Sequence, residues 1–263
     1  MPSGVTLVLA DTESHVLAHN AIEHSIRQFP FDEVLVFTDR PELWPQWRTC
    51  RIDTIRHIDA YNTLMIKTVP HLVRTDHFVV AQFDGFVLHG QAFDPAFYEC
   101  DYIGAVWPEW PVFNVGNGGF SWRSRKLALA VAEMADFWRP GEPEDVFIAR
   151  TLRVALESRH GCRFADVERA HAFSYEQLLP TKPTFGFHGL MHLPHVYRDQ
   201  LDYLVANLPQ RVIDKRLPLL MLGAQLLDEA QRVQLVRLCA ERVAQAGAQG
   251  PIAAAAPAVA MTG

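Results

Sequence analysis

Four short stretches of this 263-residue chain hold residue types whose spacing could carry chemistry. In VVAQFDGFVL (Val79–Leu88), Asp84 interrupts what otherwise reads as a buried strand. Asp is a poor strand former and an unpaired buried carboxylate is costly, so this acid calls for a strand end, a partner or a ligand. In PEDVF, Glu144 and Asp145 follow Pro143 at a helix start. The helix dipole favours acids there, and a carboxylate facing a crevice can also take a proton from a hydroxyl. VGNGGFS sets Asn117 among Gly116, Gly118 and Gly119, a backbone able to turn through positive φ and to approach a ligand closely. It has neither the G-K-[ST] of a phosphate loop nor the G-x-G-x-x-G of a dinucleotide fold. Finally, FGFHGLMHLPH presents His188 between Gly186 and Gly189 and adds His192 and His195. With Asp84 these imidazoles could serve a metal-dependent hydrolase, although H-x-x-x-H without a nearby Glu is no zinc signature. Each stretch also has a structural use, as a turn, a cap or a packed histidine.

The elements that must position these residues follow from periodicity. VTLVLAD (Val5–Asp11), EVLVFTDR (Glu33–Arg40) and HFVVAQFDG read as strands, and YIGAVW (Tyr102–Trp107) as a fourth. Ala18, Ala21, Ile22, Ser25, Ile26 and Phe29 recur at helical spacing, and YNTLMIKTVPHLV (Tyr61–Val73) reads as a helix interrupted by Pro70. LALAVAEMADFW and the segment after PEDVF continue as helices, with a short strand near Phe164–Val167. Alternating strands and helices predict crossover units and a mostly parallel sheet. Three strands end in acids, Asp11, Asp39 and Asp84, and ligands of open α/β sheets bind outside the carboxyl ends of the strands.

Composition narrows the choices. With 49% hydrophobic and 21% charged residues, a net charge of −6 and no basic block, the chain suits a folded protein and not a duplex nucleic-acid binder. The N-terminus lacks a signal-peptide pattern and no apolar run reaches membrane-spanning length, which points to a cytoplasmic protein. Cys50, Cys100, Cys162 and Cys239 are widely spaced and read as free thiols.

Taken together, the order QFDGF (Gln82–Phe86), DYIGAVW (Asp101–Trp107), GNGGFSWRSRK (Gly116–Lys126), PEDVFIAR (Pro143–Arg150) and TFGFHG (Thr184–Gly189), with YNTLM (Tyr61–Met65) upstream, resembles glycosyltransferases of the GT-A fold. More closely, it resembles an uncharacterised bacterial domain family assigned to that clan. The resemblance spans roughly residues 5–190. It implies a GT-A-like (Rossmann-like) α/β fold and transfer of a sugar from a nucleotide-sugar, a UDP-sugar first among them, to a hydroxyl of a glycan, glycolipid or protein. It implies Mn²⁺ or Mg²⁺ held by Asp84 and His188, and donor contacts from Asp11, Asp39, Tyr61, Gln82, Asp84, Asn117, Gly118 and Gly119. Asp145 would act as an inverting base and Glu144 would position the acceptor, with Trp107 and Trp110 stacking on a sugar. One position departs: the usual D-x-D has Gln82 first, and this residue could contact ribose or a uracil-type base instead.

The expected organisation is a catalytic domain over 1–195, a helical extension over 196–246 packed on it, and a disordered Ala/Pro-rich tail over 247–263. The stretch near Leu219–Ala246 leaves peripheral contact with the inner membrane and homodimerisation open, beside simple core packing. A non-catalytic nucleotide- or sugar-binding module is the third reading.

Overall fold

Val5–Ala10 (β1) is apolar almost throughout because both of its faces are covered; Val5, Leu7, Val8 and Leu9 are at most 1% exposed. Such continuous apolar runs belong to parallel strands covered on both sides. In a computed structural model, which describes residues 4–248, β1 leads through helix α1 (His15–Gln28) to β2 (Glu33–Thr38) and β3 (Arg48–Arg51). Helix α2 (Ile58–Thr63), a π-helical turn over Leu64–Thr68 and α3 (Val69–Leu72) then return the chain to β4 (His77–Ala81). Pro70 has no N–H for the carbonyl one turn back, and the wide turn before it accommodates that loss.

The remaining elements of this part are β5 (Tyr102–Ile103), β6 (Ser121–Ser124) and α4 (Arg125–Glu133). They are followed by α5 (Glu144–Val146), a second π turn over Phe147–Thr151, α6 (Arg153–His160) and α7 (Val167–Phe173). A separate two-stranded parallel sheet pairs β7 (Ser174–Tyr175) with β8 (Gly186–Phe187). The main sheet runs β3-β2-β1-β4-β6-β5. Its first four strands are parallel, and β6 is antiparallel to both neighbours. The α/β class with a mostly parallel sheet is thus as expected.

Two local expectations change. The fourth strand stops at Ile103, where Gly104 and Gly116 bring two backbones too close for a Cβ: one added at Gly104 would lie 1.5 Å from Gly116 O. Phe164 makes an isolated bridge with Tyr102 instead of a strand. The glycine-rich stretch turns just ahead of β6, whose four residues are all buried.

Chain order sets where a ligand would meet the sheet. From β1 the chain adds β2 and β3 on one side, then crosses to place β4 on the other. The β1–β4 junction is therefore the topological switch point, where open α/β sheets bind ligands. Register sets Leu9 opposite Ala81 and Ala10 opposite Phe37, so the chain leaves β1, β2 and β4 at one edge, carrying Asp11, Asp39 and Asp84.

The chain divides into two compact units, Met1–Leu193 and Pro194–Gly263. In the second, after the turn α8 (Leu193–Val196), come α9 (Leu201–Asn207), α10 (Gln210–Lys215), α11 (Leu217–Leu222) and α12 (Glu229–Ala248). Helices α9 and α12 pack together, with Leu204, Leu235 and Cys239 buried. The expected long helix from Leu219 is broken at Gly223–Leu226 by a 3₁₀ turn. The expected tail over 247–263 lies, apart from the last residues of α12, outside the described residues. All four cysteines are free, and no helix among the described residues is long and apolar enough to cross a membrane.

Candidate active site at the carboxyl edge of the sheet

Just past β4 the chain folds on itself: Gln82 and Gly85 exchange backbone hydrogen bonds, with N···O of 2.8 and 3.1 Å. The segment around β8 runs alongside, the Leu88 N–H donating to Phe185 O and the Gly189 N–H to Asp84 O, both at 2.8 Å. This pairing delivers His188 to Asp84. The imidazole fits because two neighbours lack side chains: a Cβ on Gly119 would lie 2.0 Å from Nε2, and one on Gly85 2.8 Å from Cδ2.

His188 Nε2 lies 3.4 Å from Gln82 Oε1 and 3.9 Å from Asp84 Oδ1. On the other side of the ring, Nδ1 is 3.1 Å from Glu176 Oε1 and 2.9 Å from Asn117 Nδ2. Burial works to lower the His188 pKa, but Glu176, Asp84 and Asp145 outweigh it and hold the imidazole above its ordinary range. Glu176 moves the opposite way: burial would raise its carboxyl, and the bonds and charge from His188, with Asn117, bring it below the usual value. Asn117 can aim its amide here because it adopts a left-handed φ of 69°, and its Oδ1 accepts the Gly119 N–H at 3.0 Å. Gln82 Nε2 in turn donates to the Tyr61 hydroxyl at 2.9 Å, whose pKa burial, with Glu144 adding to it, raises well above the phenolic range.

Asp145 stands on the far side of the glycine turn. Its Oδ2 accepts the Gly118 N–H at 2.8 Å, while Oδ1 accepts the Val146 N–H at the start of its own helix. Gly118 and Gly119 thus touch, one residue apart, the Asp145 carboxylate and the His188 ring. Glu144 behaves otherwise than expected. Its side chain is 4% exposed and both oxygens bind Arg123, at 2.8 and 2.9 Å, so acceptor positioning is corrected to a buried ion pair. Burial works against the charge of Arg123, but Glu144 outweighs it and holds the guanidinium more firmly protonated than usual.

The other expected residues divide. Asp11 Oδ1 accepts the N–H groups of Glu13 and Ser14 at 3.0 and 2.7 Å, which starts α1. Asp39 Oδ2 accepts from Thr54 at 2.9 Å, and its Oδ1 lies 3.4 Å from His15 Nε2. Trp107 is buried against Gly116, a Cβ there meeting its ring at 2.0 Å, so the expected sugar stacking is corrected to core packing. Trp110 remains 38% exposed with the Arg150 guanidinium 3.5 Å above its ring. His192 is buried and bonds Glu176 O through Nε2. Among the described residues no group of three His, Cys, Asp or Glu side chains could hold a metal, so the three-histidine hydrolase loses the cluster it requires. Glu176, Arg123 and Asn62 were not anticipated. Asn62 accepts the Glu144 N–H through Oδ1 at 3.3 Å and donates from Nδ2 to Glu142 O at 3.1 Å, which ties the YNT segment to PEDV.

A divalent cation of the Mn²⁺ or Mg²⁺ kind can be tested against this donor set. Asp84 Oδ1 is buried without a hydrogen-bond partner among the described residues, and it faces His188 Nε2 and, through that nitrogen, Gln82 Oε1. One orphaned carboxylate oxygen, one amide oxygen and one imidazole suit such an ion if ligand phosphates and water complete its shell.

Fold and site together define an α/β protein with an acidic, histidine-bearing cluster at the switch point of its sheet. Residues 46–188, more than half of the chain, match the family described as Protein of unknown function (DUF5672), and the protein belongs to that family. Among solved structures it is similar to a mannosyltransferase from Pyrobaculum calidifontis in complex with GDP-Man and Mn²⁺. That match has 14% identity over 96% of this chain and 77% of the other, with a TM-score of 0.42. It is also similar to a glycosyltransferase involved in glycosylation of the major capsid of PBCV-1, at 12% identity, 70% and 92% coverage and a TM-score of 0.46. The bifunctional IspDF of Campylobacter jejuni matches at 9% identity, 62% and 49% coverage and a TM-score of 0.40. No curated protein matches the sequence.

Proposed function

We propose that this protein is an inverting glycosyltransferase that moves a hexose from a nucleotide-sugar to a hydroxyl of a glycan, glycolipid or protein. One observation carries the reading: Gly118 donates its N–H to Asp145 while Gly119 lies against His188, so a base and a diphosphate site share one glycine turn. The acceptor oxygen attacks the anomeric carbon, its proton passes to Asp145, and the bond to the nucleoside diphosphate breaks with its electron pair on the leaving phosphate. Asp84, His188 and Gln82 would hold the divalent cation, which when bound supplies charge neutralisation at the departing diphosphate. Tyr61 and Asn117 fix Gln82 and His188, and Asp11 and Asp39 border the nucleotide end of the same strand edge. Trp110, at the rim, is the aromatic surface left for an acceptor.

A thermal-shift screen of UDP-, GDP-, dTDP- and CMP-sugars, with and without Mn²⁺, should find a donor that raises the melting temperature. Stabilisation by none of them sinks the reading. Asp145→Asn should retain donor binding and lose roughly 10²–10⁴-fold in transfer; full activity there means another group is the base. A protein that binds donor but never turns it over is the non-catalytic module instead.

A further inference from the structure

We propose that the buried Arg123–Glu144 pair is a positioning device for the Asp145 carboxylate, an inference that rests on the reading of Asp145 as base. The pair lies inside the protein, with side chains 2% and 4% exposed, and each nitrogen of the guanidinium is engaged. Nη1 and Nη2 donate to the two Glu144 oxygens, Nε donates to Ser121 Oγ at 2.9 Å, and Nη2 also reaches Gly118 O at 3.4 Å. The Tyr102 ring lies under the guanidinium at 5.5 Å.

A buried ion pair is a costly way to fill a core, and well-packed apolar residues often serve stability as well or better. What this pair does that apolar residues cannot is hold one residue, Gly118, at both its carbonyl and its Cα. Arg123 takes the carbonyl of Gly118, and Glu144 fills the space where its Cβ would be, 2.0 Å from Oε1. The N–H of the same glycine points at Asp145 Oδ2. Arg123 lies on β6 and Glu144 opens α5, so the pair ties the sheet to the helix that bears Asp145. Asn62 adds a second tie through the Glu144 N–H. With Gly118 held in this way, its N–H fixes Asp145 Oδ2 while the Val146 N–H fixes Oδ1, so the carboxylate keeps one orientation.

The test replaces the pair by apolar residues of similar volume, Arg123→Met with Glu144→Leu, so that no charge is left buried alone. Native-state hydrogen exchange is then followed at the Gly118 amide by NMR, with the Trp122 amide of β6 as an internal reference. Exchange at Gly118 should quicken at least tenfold while Trp122 keeps its protection. Unchanged protection at Gly118 overturns the proposal whatever the protein catalyses. Where wild-type transfer is measurable, kcat should fall tenfold or more with donor KM within twofold; an unchanged kcat also overturns it. If the double variant does not fold, Arg123→Lys decides by the same readings, since one ammonium cannot span both Glu144 oxygens and the Gly118 carbonyl. A wild type that binds no nucleotide-sugar would count against the transferase reading alone, because the exchange measurement does not depend on it.

Discussion

The chemistry of this site depends on two residues that have no side chain. Gly119 leaves room for the His188 ring and Gly118 for the Glu144 carboxylate, each at a distance where a real Cβ would lie 2.0 Å from the neighbour. At Gly119 the neighbour cannot easily withdraw, because His188 is held by Glu176 and Asn117 on one side and flanked by Gly85 on the other. Gly119→Ala should therefore destabilise by about 1–3 kcal/mol through overpacking, and it should abolish stabilisation by nucleotide-sugar and Mn²⁺. Chemical denaturation and thermal shift read the two effects separately. Wild-type ligand stabilisation in this variant would show that His188 takes no part in binding. At this scale the sequence was informative where local rules apply: a carboxylate out of place in a strand, acids at a helix start, glycines around an imidazole. It was silent on Glu176 and Arg123. Their roles come from partners 12 and 21 positions away, and neither SYEQ nor SWRS departs from ordinary composition.

Among the elements, the least legible was β6. Its four residues are buried, so no polar alternation marks it, and three of them, Ser, Arg and Ser, are not strand formers by type. The strand exists because its partners lie on both sides, with Trp122 opposite Val79 on β4 and Ile103 on β5. By contrast β1, β2, β4 and α1 were legible, since continuous apolar runs and a helical stripe encode their surroundings directly. Strand β6 then turns into α4 at Ser124, whose Oγ accepts the Leu127 N–H at 3.0 Å as the helix cap and donates to Asp101 Oδ1 at 2.5 Å. Ser124 pairs with His77, at the amino end of β4 and so away from the proposed site. Ser124→Ala should cost about 1–2 kcal/mol in denaturant unfolding, through the lost cap and the Asp101 oxygen left without its hydroxyl. Catalytic constants should stay unchanged. A drop in kcat without a drop in stability would contradict this separation of the two sheet edges.

At the scale of the whole molecule, the chain divides after Leu193, shortly past the last glycine-rich motif. What no pattern in the sequence reports is how the fold treats its histidines. Burial lowers the pKa of His15, His24 and His77 below the ordinary 6.5, whereas His188, held by Glu176 and nearby acids, is raised. For the first three, the unfolded chain takes up protons before the fold does. Their stabilising effect is therefore complete above the unfolded value and drains away as the pH falls through it. His188 works in the opposite sense: its contribution is present at low pH and lost as the pH rises through its folded value. Through His15, His24 and His77 the protein should melt lower at pH 5.5 than at pH 7.5, with no metal or ligand added. His24 lies against the Phe86 ring at 5.5 Å, and besides burial it feels the Leu88 carbonyl, Arg27 and His89. His24→Leu removes one of the three acid-sensitive groups from this apolar contact without touching the proposed site. The gap in melting temperature between the two pH values should narrow in that variant. A gap that stays as wide would mean that His24 is as easily protonated in the fold as out of it, and that acid acts on the molecule elsewhere.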